Sequence, residues 1–108
     1  MSHPPANALI VTQRLLVAGR VQGVGYRVHL QRAALAASVS GWVRNRRDGT
    51  VEAVVQGAPA AVEQVIAWAQ KGPPAGHVTA LRVEPAEGAR DNEPAQSRFS
   101  DFAILPTA

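Results

Sequence analysis

Nine residues, Gly19-Arg20-Val21-Gln22-Gly23-Val24-Gly25-Tyr26-Arg27, separate a strand-like apolar run (Leu15, Leu16, Val17) from a helix-like run over Val28 to Ala37. Three glycines in so short a connection permit positive φ and leave no Cβ between the backbone and an approaching group. A strand that turns directly into a helix start aims several backbone N–H groups at one point, which makes an anion site. Arg27 adds a planar, permanent cation whose fork matches a pair of phosphate oxygens. The pattern is neither the dinucleotide fingerprint nor the P-loop, because no Gly-Lys-Ser/Thr follows and no acidic residue stands at the ribose position. Read locally, it fits a tight turn as well as a phosphate cradle.

The rest of the chain alternates in type. Ala8 to Gly19 reads as a strand. Tyr26, Leu30, Ala33, Ala34 and Ala37 recur at helical spacing. Gly41 to Arg47 and Thr50 to Gly57 read as strands joined through Asp48-Gly49, a hairpin signal. Pro59 suits a first helical turn, and Val62, Val65, Ile66 and Ala69 share one face of the helix it opens. Gly72-Pro73-Pro74 stops that helix. Val78 to Val83 is a fourth strand with Thr79, Leu81 and Val83 on one side, and Phe99 to Leu105 a short last one. Residues 1–7 read as a flexible leader, 86–98 as a surface loop, and 8–108 as one domain. The order β-α-β-β-α-β predicts an α+β, ferredoxin-like sandwich: two helices on one face of a four- to five-stranded antiparallel sheet.

A chain of 108 residues, 46% hydrophobic and 18% charged, has the composition of one globular domain. The net charge of +3 admits anionic partners. With no cysteine there is no disulfide or thiolate chemistry, and His3, His29 and His77 are too scattered to form a metal site. No signal core or membrane span is legible near the N-terminus, so a cytoplasmic location is expected.

Asn45 is the unusual residue of the hairpin, because amides are depleted in strands. One reading is a polar side chain near a strand end, at the solvent edge of the sheet. The other is an amide that donates and accepts hydrogen bonds and so orients a water molecule. Around it, Arg44, Arg46 and Arg47 read as solvated hairpin residues, Trp42 and Trp68 as packing aromatics, and His29 as surface or half-buried packing.

Gly19 to Arg27, together with Gly41-Trp42-Val43-Arg44-Asn45 and Asp48-Gly49-Thr50-Val51-Glu52, resembles the two signatures of the acylphosphatase family. The resemblance runs on through Gly57, the Val62/Val65/Trp68 helix, Gly72-Pro73-Pro74 and Phe102-x-Ile104, from about residue 12 to 107. It implies hydrolysis of an acyl phosphate to a carboxylate and inorganic phosphate. By that resemblance the backbone N–H groups of Gln22, Gly23, Val24, Gly25, Tyr26 and Arg27, with the Arg27 guanidinium, hold the phosphoryl group, and Asn45 positions the attacking water. It also implies a monomer that uses no cofactor or metal and takes acyl phosphate as substrate and inorganic phosphate as product and inhibitor. No nucleic acid or membrane partner is expected. Ser38 stands where the family often has glycine after the first helix, which predicts a strained left-handed residue there. The alternative is a phosphate-anion or RNA-binding module of the same layout. RNA binding would need aromatics interleaved with basic residues on the central strands, and those strands offer Trp42 alone.

Overall fold

The structure, a computed structural model, describes residues 9–86 and 101–108. Its elements follow the expected order: β1 (Val11–Arg20), α1 (Tyr26–Ala36), β2 (Ser40–Asn45), β3 (Val51–Gly57), α2 (Pro59–Lys71), β4 (His77–Pro85) and β5 (Phe102–Ile104). The leader at 1–7, most of the 86–98 loop, and Phe99 lie outside the described residues. Among the described residues no helix is long and apolar enough to cross a membrane.

The strands form one five-stranded sheet in the order β4-β1-β3-β2-β5. β1 lies antiparallel between β3 and β4, with Leu15 opposite Ala53 and Val83, and Val17 opposite Val51 and Leu81. Period-two alternation turns Leu15, Val17, Val43, Val51, Ala53 and Val55 toward the helices. There they pack into one core with Leu30 and Ala34 of α1 and Val62, Val65 and Ala69 of α2. The fold is ferredoxin-like.

The expectation of an all-antiparallel sheet fails at β5, which pairs parallel with β2, Gly41 opposite Phe102 and Val43 opposite Ile104. The cause is direction: β4 runs against β1, while β2 runs with it. β4 therefore ends at the side of the sheet where β2 begins, and a strand that starts from that side runs along β2. β5 and the tail beyond it also cover the β2 edge. Leu105 N–H donates to Val43 O at 2.9 Å and Ala108 N–H to Asn45 O at 3.0 Å. Asn45 is thus not at an open edge, contrary to the sequence reading.

Both helices end in well-defined stops. After α1, Val39 N–H donates to Ala34 O at 2.8 Å and Ser38 N–H to Leu35 O at 3.1 Å, the paired bonds of a Schellman motif. Ser38 takes the left-handed position, φ 61°, as its place in the sequence predicts. After α2, Gly72 N–H donates to Trp68 O at 2.8 Å. The next orphan carbonyl, Ala69 O, accepts the Tyr26 hydroxyl at 2.8 Å. That bond joins the start of α1 to the end of α2 inside the core, where Tyr26 is 1% exposed.

Candidate active site

The loop between β1 and α1 serves two ends by different means. At its entry, β1 carries a bulge between Ala18 and Gly19. A Cβ at Gly19 would collide with the His77 carbonyl oxygen, so this glycine is required by the β1–β4 pairing and not by a ligand. At its exit the chain is left-handed twice, at Gly23 (φ 77°) and Gly25 (φ 80°). A Cβ at Gly23 would meet nothing within 4 Å, so that side of the loop is open.

Gly25 is the N-cap of α1, and no side chain caps it. His29 N–H makes the first helical bond, to Gly25 O at 3.1 Å. The N–H groups of Tyr26, Arg27 and Val28 ahead of it therefore have no helix carbonyl to pair with. No acidic residue occupies the first turn, so the partial positive charge of the helix start is left for an incoming anion. Arg27, the second residue of α1, is half-buried and makes no hydrogen bond or ion pair with any described residue. A guanidinium held next to free N–H groups without a carboxylate partner suits a dianion.

Gln22 supplies the link that the sequence reading missed. That reading used only its backbone N–H, but its side chain bridges to the hairpin: Nε2 donates to Arg46 O and to Thr50 O, each at 2.8 Å. Gly49 N–H closes the hairpin turn on the same Arg46 carbonyl at 3.0 Å, with Gly49 left-handed at φ 96°. One detail in the sequence was a signal, a long amide side chain kept among glycines. The choice of acceptor came from the fold.

This clamp brings the loop to Asn45, the residue before Arg46. Asn45 pairs with Val51 at the end of β2, and alternation puts its side chain on the helix-covered face with Val43 and Val51. Its Oδ1 is buried and accepts no hydrogen bond from any described group. A buried, unpaired amide oxygen is costly, by roughly 1–3 kcal/mol, and such atoms in native proteins call for an explanation.

Two of the three hairpin arginines, Arg44 and Arg46, do not match the expectation of solvated residues. On the helix-free face Glu52, only 4% exposed, draws them in together with Arg14 of β1. Arg44 Nε donates to Oε1 at 2.8 Å, and Arg46 Nη1 stands 3.9 Å from the same oxygen. Arg14 Nε lies 2.9 Å from Oε2 but is not aligned for a hydrogen bond, so that contact is an ion pair only. The Arg44 guanidinium also covers the Trp42 ring, 4.9 Å from its centroid, which takes away the aromatic platform an RNA-binding face would need. Arg47 is exposed, and Arg20, at the end of β1, is exposed as well.

Two titratable groups depart from their ordinary values. Burial pushes the Tyr26 phenol well above 10.0. At the hairpin tip Asp48 is held below the usual carboxylate range, chiefly because Thr50 donates to it through Oγ1 at 2.6 Å and through N–H at 3.0 Å. No cluster of three His, Asp or Glu side chains is found among the described residues.

The acylphosphatase family profile matches residues 13–104. An acylphosphatase of Cupriavidus pinatubonensis is 46% identical over 96 residues, which is 89% of this chain and 97% of the relative. One from Synechococcus is 57% identical over 74 residues, 67% of this chain and 79% of the relative. The crystal structure of the acylphosphatase from Bacillus subtilis superposes with a TM-score of 0.77 at 31% identity, covering 90% of this chain and 99% of that one.

Proposed function

The chain belongs to the acylphosphatase family and is a hydrolase of acyl phosphates, and from that premise we propose how its own residues carry the reaction. The phosphoryl group sits in the loop, held by the N–H groups of residues 22–27 and by the Arg27 guanidinium. Asn45 Oδ1 accepts a hydrogen bond from the attacking water and aims it at phosphorus. The water oxygen forms a bond to phosphorus, the phosphorus–oxygen bond to the acyl group breaks, and the carboxylate leaves with the electron pair. The water proton passes to a phosphate oxygen. A carboxylate is a good leaving group, so no general acid is needed; positioning and charge stabilisation supply the rate. Residues 8–108 act as one monomeric domain in the cytoplasm, without a metal, nucleic acid or membrane.

The observation that carries the assignment is the buried Asn45 Oδ1, which has no partner in a site otherwise made of donors. The test is a pair of variants. Asn45→Ala lowers kcat by at least ~10²-fold and leaves the inhibition constant of inorganic phosphate nearly unchanged. Arg27→Ala raises that inhibition constant and lowers kcat together. If Asn45→Ala keeps kcat within a few-fold of the parent, or if its loss follows lost phosphate affinity, Asn45 does not deliver the water.

A further inference from the structure

Gly25 O is the acceptor that starts α1, and a single residue occupies it twice. His29 donates its backbone N–H to this oxygen at 3.1 Å, and its ring Nδ1 stands 2.8 Å from the same atom. A carbonyl oxygen only accepts, so Nδ1 carries a proton there, in the neutral ring as in the cation. The ring lies against the bare side of Gly25, where an added Cβ would come within 3.3 Å of Nδ1. Trp68 of α2 faces the same ring, the two within 7° of parallel with centroids 6.5 Å apart. Trp68 in turn packs on Tyr26, with ring centroids 5.3 Å apart. An exposed imidazole is thus held by a carbonyl, a glycine and an indole.

The peptide joining Gly25 to Tyr26 is trans and planar, so its C=O and N–H point in opposite directions. With the carbonyl held along the α1 axis, Tyr26 N–H is aimed outward from the helix start, among the unpaired donors. Gly25 is left-handed at φ 80° and, lacking a side chain, lets this peptide turn at little steric cost. Two hydrogen bonds on one oxygen resist that turn. We propose that His29 is a positioning residue of the phosphate site: its ring N–H fixes the Gly25–Tyr26 peptide and so aims Tyr26 N–H at the phosphoryl group. The inference rests on the acylphosphatase reading and on the phosphoryl group lying in the 22–27 loop. It requires no contact between His29 and the substrate, and no change in the charge of the ring.

The experiment compares His29→Leu, His29→Asn and His29→Gln with the parent, using benzoyl phosphate as substrate and inorganic phosphate as inhibitor. Asparagine places an amide N–H near the position of Nδ1, glutamine carries its amide one bond further out, and leucine has no donor. A misaimed donor weakens a charge-assisted bond without abolishing it, so His29→Leu raises KM and the phosphate inhibition constant about fivefold each. Its kcat stays within about twofold, because the N–H meets phosphoryl oxygens in substrate and transition state alike. His29→Gln follows His29→Leu, and His29→Asn returns both constants to within about twofold of the parent. In NMR spectra the Tyr26 amide proton moves downfield as inorganic phosphate saturates the parent and His29→Asn, and clearly less in His29→Leu. Parental KM and phosphate inhibition in His29→Leu overturn the proposal, whatever happens to its melting temperature. So does a His29→Asn variant no better than His29→Leu, which would assign the effect to the ring or its charge. Should His29→Leu fail to fold, His29→Gln against His29→Asn makes the same comparison with polarity kept. A parent that neither hydrolyses benzoyl phosphate nor binds phosphate counts against the acylphosphatase reading itself. A parent that does both, with phosphate inhibition that no His29 variant moves, counts against His29 alone.

Discussion

Gln22 holds the site together through one amide group. Its two donated bonds reach carbonyls on either side of the hairpin turn, so its loss frees the loop and the Asn45 strand end to move separately. Gln22→Ala should leave the fold intact, since each neutral bond is worth about 1 kcal/mol. Catalysis needs tighter placement than folding does, because small displacements of a positioning group cost large factors in rate. We expect kcat to fall ~10-fold or more with a melting temperature only a few degrees lower. A variant with parental kcat would show that the loop is held by other means. In the proposed site Arg27 works at the same scale, by charge and shape. Arg27→Lys should recover only a small part of what Arg27→Ala loses in phosphate inhibition, because an ammonium cannot make two parallel bonds to one phosphate. Full recovery by lysine would mean that charge alone suffices there.

At the level of the element, α1 does two jobs that its ends divide. Its N-terminus leaves N–H groups without helix carbonyls, the donors of the proposed phosphate site, and its C-terminus sets the turn into β2. The C-terminal stop carries a serine in the left-handed region, which costs an L residue roughly 1 kcal/mol compared with glycine. Ser38→Gly relieves that strain but loosens the unfolded chain, and the two terms oppose each other. The net gain should be at most ~0.5 kcal/mol, read as a small rise in melting temperature with kcat and KM unchanged. A flat or lower melting temperature would show that the entropy of the unfolded chain outweighs the strain.

Across the whole molecule, the bond from Tyr26 to Ala69 O ties both helices to one core, and it sets an alkaline limit. Burial raises the Tyr26 pKa in the folded state above its ordinary 10.0. The unfolded chain then releases this proton first, so folding stability is full below about pH 10 and declines as the pH rises past it. Urea midpoints should fall through that range in the parent. Tyr26→Phe, less stable at neutral pH by about 1–2 kcal/mol for the orphaned carbonyl, should lose much of the slope. A parent midpoint that does not change between about pH 9 and about pH 11, either side of the ordinary phenol pKa, would remove Tyr26 as the cause. Activity should also survive exhaustive chelation, since the proposed site draws its charge from Arg27 and backbone N–H groups. EDTA inactivation reversed by a divalent cation would contradict that source.

The linear chain by itself determined the element order, the helix stops and the glycine-rich loop ending on Arg27, because each rests on interactions within a few residues. Pro59 at a first turn, Gly49 in the hairpin and Ser38 after α1 are local choices of this kind, legible without a fold. Asn45 stood out too, as an amide in a strand that the family resemblance aimed at the loop, though the groups that surround it were not legible. What tertiary structure decided was which groups meet. Gln22 reaches carbonyls 24 and 28 residues away, Glu52 gathers Arg14 and Arg44 from two neighbouring strands, and β5 runs parallel along β2 instead of antiparallel. No local pattern encodes these. Each depends on strand order and register, which are selected by burying one face of the sheet under both helices, and only that selection puts the Asn45 side chain on the helix-covered face.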